Sequence, residues 1–251
     1  MNDLSWDDFW SKEYRTVNCE LQLNLNSHQG KITFDLLKKY KEKSRILDAG
    51  CGLGNWTFIF EKMRFKAIGI DLSLRPLKIA NEYSQKNSLN SNFLLADVRN
   101  IPFKDNQFDI IINHGVIEHF SNPKSALIEF YRVLKLKGSC LVTTPNPFSF
   151  HQLIGRHILS IIKNYKFGYA GYEKAFTPRK LALLLKETNF ININSGILSE
   201  GEGTLFGVFW LIIPIFGKII NRFLTKIAHC IEKNQNVIGG GSYAIGYKEK
   251  L

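Results

Sequence analysis

From Ile46 to Thr57 the sequence reads ILDAGCGLGNWT, with strand-forming residues, an acid at Asp48, and glycine at positions 50, 52 and 54. Backbone without Cβ atoms tolerates the positive φ of tight turns and lets a ligand lie against the main chain. The residues from Asn55 onward have helical periodicity, so the glycines join a strand to a helix, where doubly wound folds bind ligands. A dinucleotide site places a helix N-terminus at a pyrophosphate and requires GxGxxG. Here the last glycine of that pattern would fall on Asn55. The spacing GxGxG therefore points to a ligand without a phosphate pair and disfavours a nicotinamide oxidoreductase. Two further acids, Asp71 and Asp97, end the next two strands. An acid at the tip of the second strand is placed to accept hydrogen bonds from ribose hydroxyls. Either aspartate alone also serves as a cap or turn residue, but three strand-tip features in consecutive order mark one site.

The elements that must position these residues alternate. The pattern predicts strands at RILDAG, KAIGID, NFLLAD, FDIIINH and GSCLVTTP, with helices over Asn55 to Met63, Leu74 to Asn87 and Lys124 to Leu134. The strands are short, continuously apolar and β-branched, as required when helices cover both faces of a parallel sheet. Ile32 to Tyr40 reads as an amphipathic helix ahead of this core. After it come a helix from Pro178 to Glu187 and two more strands, FININSGIL and SYAIGYK. The expected fold is α/β, Rossmann-like and doubly wound, with right-handed crossovers.

The chain has 251 residues, 45% of them hydrophobic, enough for one sizeable core without a second domain. Cys19, Cys51, Cys140 and Cys230 lie far apart with no CxxC pair, which argues against a zinc site or a disulfide framework and for reduced thiols in a cytoplasm. The opening MNDLSWDDFW is acidic and aromatic, unlike an export signal. Net charge is +11 with a pI of about 9.4. Such a balance suits nucleic acid, an anionic membrane surface or an acidic substrate. The crowding of Lys, Asn and Ile is also what AT-rich coding produces without functional cause.

The stretches DAGCGLG, GIDLS, LLADVRNIPFKDNQFDIIINHGVIEHF and EFYRVLKLKGSCLVTTPN together resemble the class I S-adenosylmethionine-dependent methyltransferases, from about Arg45 to Pro145. The resemblance implies a mostly parallel seven-stranded sheet with the last strand antiparallel, and S-adenosyl-L-methionine as cofactor. It assigns Asp48, Gly50, Cys51, Gly52 and Gly54 to the loop around the methionine part, Asp71 to the ribose and Leu72 to the side of the adenine. Asp97 and the Val98 backbone fall to the adenine amino group, and Asn113 and His114 to the region of the methyl group. His119, in IEHF after the fourth strand, is the candidate general base, although a histidine there equally serves as a packed residue. Ubiquinone-biosynthesis O-methyltransferases resemble the same stretch. There a Glu-His pair with a further acid is associated with a metal; this chain keeps Glu118 and His119 but has Gly115 at the third position. No metal is expected.

The resemblance implies methyl transfer to a small-molecule, glycan or lipid-linked acceptor, at oxygen. The organisation expected is one domain over 1–251, with an N-terminal helical cap (1–44), a cofactor-binding core (45–145), an acceptor-site segment (146–176) and an apolar and basic insertion (204–236). The acceptor segment, aromatic and basic through Phe148, Phe150, His151, Arg156, His157, Tyr165, Tyr169 and Tyr172, suits either an acceptor pocket or core packing. In the insertion, the apolar run Leu205 to Gly217 is shorter than the roughly 20 residues that span a bilayer. From Lys218 one helical face is apolar and the other carries Lys218, Arg222, Lys226 and His229. A lid over the acceptor and an interfacial contact with an anionic membrane both fit, so the expected location is the cytoplasm, with peripheral membrane association as the second reading. An RNA methyltransferase lacks support, since no RNA-binding module or NPPY motif is present, and a non-catalytic protein on this fold is the other alternative.

Overall fold

The structure is a computed structural model that describes residues 27–89, 91–149, 174–198 and 240–249. The elements run α1 (His28–Leu37), β1 (Arg45–Ala49), α2 (Asn55–Lys62), β2 (Lys66–Asp71), α3 (Leu74–Lys86), β3 (Asn92–Leu95) and β4 (Phe108–His114). A single 3-10 turn (Ile117–His119), α4 (Lys124–Val133), β5 (Leu134–Pro145), α5 (Pro178–Glu187), β6 (Ile191–Leu198) and β7 (Gly241–Tyr247) complete the order.

The strands form one seven-stranded sheet in the order β3-β2-β1-β4-β5-β7-β6. The pairs β1 with β2, β1 with β4, β2 with β3 and β4 with β5 are parallel. The last strand, β7, lies antiparallel between β5 and β6. Winding reverses between β1 and β4, so the loops leaving the C-terminal ends of these neighbours diverge and open a crevice. The sheet carries the expected mostly parallel, doubly wound architecture.

Side chains alternate across it. Leu47, Ile111, Cys140, Val142 and Ala244 pack on one face with α4 and α5 residues such as Phe130 and Leu181. Ile46, Ile110, Ile112, Leu141 and Ile245 pack on the other face with Phe34 and Leu37 of α1 and Ile59 and Phe60 of α2. Burial on both faces is why these strands read as continuous apolar runs.

Boundaries differ from the sequence reading where a local rule hides them. Helix α1 starts at His28, ahead of the apolar period, because Ser27 caps it by accepting from the Gly30 N–H at 2.9 Å. Strand β5 begins at Leu134, directly from α4, whose carbonyl of Phe130 is bonded by the Leu134 N–H. Its first residues, LKLK, alternate with charge and conceal the strand. Of the acceptor segment, positions 150–173 lie outside the described residues, as do the insertion 204–236 and positions 1–26 of the N-terminal cap.

Candidate functional site

A cavity of about 480 Å³ opens at the switch point. Its wall includes Asp48, Gly50, Cys51 and Gly52 after β1, Asp71 and Leu72 after β2, and Asp97 and Val98 after β3. His114 and His119 line it from the β4 side. The sheet thus brings together ten of the residues singled out as candidates. Gly54 and Asn113 are not in the wall. Gly54 is the left-handed cap of α2 (φ 75°), and fully buried Asn113 turns its amide into the core to donate to the Ala49 carbonyl at 2.7 Å.

The glycine loop is determined by the protein's own packing as well as by any ligand. Gly50 has φ 84°, and a Cβ there would sit 2.2 Å from Cγ2 of Val116. A Cβ on Gly54 would sit 2.5 Å from the Phe93 ring. The N–H groups of Gly50 and Cys51 donate to the Ile70 carbonyl at 2.8 and 2.9 Å, folding the loop back over the end of β2. There Asp71 ties two elements together: its Oδ2 accepts from the Gly52 N–H at 2.8 Å and its Oδ1 from the Ser73 N–H at 2.9 Å. An ionised carboxylate accepts about four hydrogen bonds, so this anchoring is compatible with accepting from a diol.

Asp48 is buried, accepts from the Thr57 hydroxyl at 2.7 Å, and has its carboxyl raised by burial to about 7, the hydrogen bonds from Thr57 only partly opposing this. Burial, with Asp48 and Asp71 nearby, pushes the Cys51 thiol well above its ordinary range, so it is not a nucleophile. Burial would also raise Asp97, but the hydrogen bonds and charge of Arg99 outweigh it and hold the carboxyl below its ordinary value.

The two histidines differ. His114 is half-buried at the cavity wall, 5.0 Å from the Trp56 ring, with Nδ1 3.1 Å from the Thr143 hydroxyl and Nε2 3.3 Å from the Thr33 hydroxyl. The Thr33 hydroxyl itself donates to the Gln29 carbonyl at 2.8 Å. This makes Nε2 the donor to Thr33 and Nδ1 the acceptor from Thr143. Burial lowers His114 to about 3, so it is neutral across physiological pH. His119 stands on the 3-10 turn, its N–H bonded to the Val116 carbonyl at 3.1 Å, and lines the cavity.

Sequence reasoning missed several wall residues. Trp56 follows the glycine loop directly, and its indole stacks on Phe60 with centroids 5.7 Å apart. Gln29 reaches the wall from α1, and Phe120 from beyond the 3-10 turn. Trp56 was adjacent to a recognised motif, whereas Gln29 carries no local mark. No Lys or Arg is among the described wall residues, although the chain as a whole is strongly basic. Among the described residues no group of three or more His, Cys, Asp and Glu could hold a metal ion.

The sequence matches a methyltransferase domain family over residues 47–142. An uncharacterised protein of Methanocaldococcus jannaschii is 34% identical over 201 residues, covering 77% of this chain and 76% of that protein. An uncharacterised methyltransferase of Schizosaccharomyces pombe is 38% identical over 112 residues, 41% of this chain and 40% of that protein. The ubiquinone biosynthesis O-methyltransferase of Rickettsia prowazekii is 25% identical over 198 residues, 77% and 73% of the two chains. The chain spans less than half the length of several other curated relatives it matches, as it does of the Schizosaccharomyces pombe protein. In fold, the chain superposes on a Haemonchus contortus phosphoethanolamine N-methyltransferase with a TM-score of 0.65, at 18% identity, over 98% of this chain and 61% of that one.

Proposed function

This chain belongs to the class I S-adenosylmethionine-dependent methyltransferase family, and from that premise we propose that it transfers a methyl group to the oxygen of a small-molecule, glycan or lipid-linked acceptor. The observation that carries the cofactor assignment is the charge of the cavity. Asp48, Asp71 and Asp97 line it without any Lys or Arg among the described wall residues. Even with Asp48 only partly ionised near neutrality and Asp97 paired with Arg99 behind the wall, such a wall favours a cationic ligand over a pyrophosphate. The donor set fits S-adenosylmethionine: Asp71 would accept from the ribose diol, Leu72 would line the base, Asp97 with the Val98 backbone would serve the adenine amino group, and Gly50, Cys51 and Gly52 would offer bare main chain to the methionine part.

The bound cofactor supplies an activated methyl group on a sulfonium. The chain's work is positioning, which contributes through effective molarity. Of the wall residues we assign His119 to take a proton from an acceptor hydroxyl, whereas His114, neutral and held by two threonines, shapes the donor side. Transfer to oxygen is supported by the ubiquinone and malonyl-[acyl-carrier protein] O-methyltransferases among the relatives.

We assign the whole chain to one domain, with 146–176 as the acceptor segment and 204–236 as either lid or membrane contact. No helix among the described residues is long and apolar enough to cross a membrane. A cytoplasmic protein with peripheral attachment is the reading supported by the apolar and basic pattern of 204–236. Calorimetry with S-adenosylmethionine and S-adenosylhomocysteine, followed by incubation of methyl-labelled cofactor with lipid and small-molecule extracts, tests the function. Absence of binding by either ligand overturns it. Equal recovery of the chain in the supernatant with and without anionic vesicles at low salt would remove the membrane contact.

A further inference from the structure

The two loops at the β3 side of the cavity are joined by one side chain that the family comparison does not assign. Arg99 follows β3 and turns back on Asp97. Its backbone N–H donates to Asp97 Oδ1 at 2.8 Å, Nε to both carboxylate oxygens at 3.0 Å, and Nη2 to Oδ2 at 2.6 Å. The same guanidinium lies over the ring of Phe120, with Cζ 4.7 Å from the centroid. Asp97 and Phe120 both line the cavity, one from the loop after β3 and the other from the segment after β4.

We propose that Arg99 is a positioning residue of this site, fixing the Asp97 carboxylate and the Phe120 ring as one bracket and so setting selectivity for a base with an exocyclic amine. The proposal rests on the cofactor assignment made above. Asp97 is 27% and Arg99 44% exposed in their side chains, so water screens their simple attraction. What the pair retains is geometry: a guanidinium fork with a planar array of donors fixes the plane of a carboxylate, which a point charge does not. The fixed carboxylate is an acceptor only. It welcomes an amino group at position 6 of a purine and opposes a 6-oxo group, whose oxygen would face it lone pair to lone pair. Phe120, carrying the guanidinium on its ring, gives the bracket an apolar wall. In Arg99→Ala only the backbone N–H still holds Oδ1, so the plane of the carboxylate is no longer fixed, an amine gains less from it and an oxo group is opposed less.

The test compares the full chain with Arg99→Ala and Arg99→Lys, measuring calorimetric affinity for S-adenosylhomocysteine and for S-inosylhomocysteine, with thermal unfolding of each protein recorded alongside. The unaltered chain should prefer the adenine ligand. Arg99→Ala should reduce the ratio of the two affinities by about tenfold, the scale of one charge-assisted hydrogen bond, and Arg99→Lys should not restore it. A ratio unchanged in Arg99→Ala, with both ligands weakened equally, would reduce Arg99 to general stability and overturn the proposal. Recovery of the ratio by Lys would show that charge suffices and would overturn the bracket. If neither ligand binds the unaltered chain, the cofactor assignment fails and the proposal with it.

Discussion

Thr57 donates a 2.7 Å hydrogen bond to Oδ2 of Asp48 beneath the glycine loop, both side chains being almost wholly buried. The pair is an acid held where ionisation is costly. Burial raises its carboxyl from 3.8 to about 7. A folded-state value above the unfolded one means that Asp48 favours folding fully only at low pH, and that this contribution is lost as pH rises from about 4 through 7. The loss amounts to as much as about 4 kcal/mol. Asp48→Asn, which still accepts from Thr57, should therefore unfold at a higher temperature than the unaltered chain at pH 8, and the difference should vanish near pH 4. Parallel unfolding profiles across that range would remove Asp48 as their source. A cationic ligand favours the ionised form, so affinity for S-adenosylmethionine should increase through the same interval in the unaltered chain and stay flat in Asp48→Asn.

The Gly50 and Val116 pair makes a separate prediction. With φ 84° and a Cβ position 2.2 Å from the Val116 side chain, Gly50→Ala meets two independent obstacles. Strain and overpacking of this kind cost about 1–3 kcal/mol each. Adding Val116→Ala should recover the overpacking part and leave the backbone part, so the double variant should be more stable than Gly50→Ala and less stable than Val116→Ala alone. Chemical denaturation of the three measures this. Equal stability of the double and single glycine variants would mean that the loop relaxes away from Val116.

The sequence displays those parts of this architecture that depend on neighbours in the chain. Helix α5 is bounded by Thr177, whose hydroxyl accepts from the Lys180 N–H at 3.2 Å, and by a proline in its first turn, so its limits were legible from residue type. The glycines and acids at the ends of β1, β2 and β3 were legible for the same reason. The β5 start was not, because Leu134 to Lys137 follows a helix without a break residue. Gln29, Trp56 and Phe120 reach one wall from α1, α2 and the segment after β4, a coincidence that only the sheet order creates. The role of Asp97 also gained a partner invisible in pattern, since an acid and an arginine two residues apart announce nothing until the loop folds back.

At the opposite end of the strands, Lys248 closes α4. Its ammonium donates to the carbonyls of Tyr131 and Leu134, each at 2.8 Å, and to Asn106 Oδ1 at 2.9 Å, with the residue only 8% exposed. Lys248→Met keeps the aliphatic length and strands these acceptors, a change of about 1–3 kcal/mol in stability. Because β7 runs antiparallel to β5, this end lies away from the cavity, and affinity for S-adenosylmethionine should be unaffected at temperatures where the variant is folded. Weakened binding without weakened folding would contradict the separation.

The two histidines of the cavity give opposite expectations. His119 is the proposed base, so His119→Ala should bind S-adenosylmethionine normally and transfer its methyl group about a hundredfold more slowly or worse. His114 is neutral, lowered to about 3 by burial, and spends both ring nitrogens on Thr33 and Thr143. It has no proton to exchange near neutral pH and holds α1 to the strand tips instead. His114→Gln, which can replace one of those hydrogen bonds but not the ring packed beside Trp56, should lower thermal stability and cofactor affinity. It should leave the limiting pKa of the rate profile where the unaltered enzyme has it. Rate profiles of the two variants between pH 5 and 9 decide the assignment. A profile that loses its ionisation in His114→Gln but keeps it in His119→Ala would exchange their roles, and full turnover in His119→Ala would leave the acceptor proton to solvent.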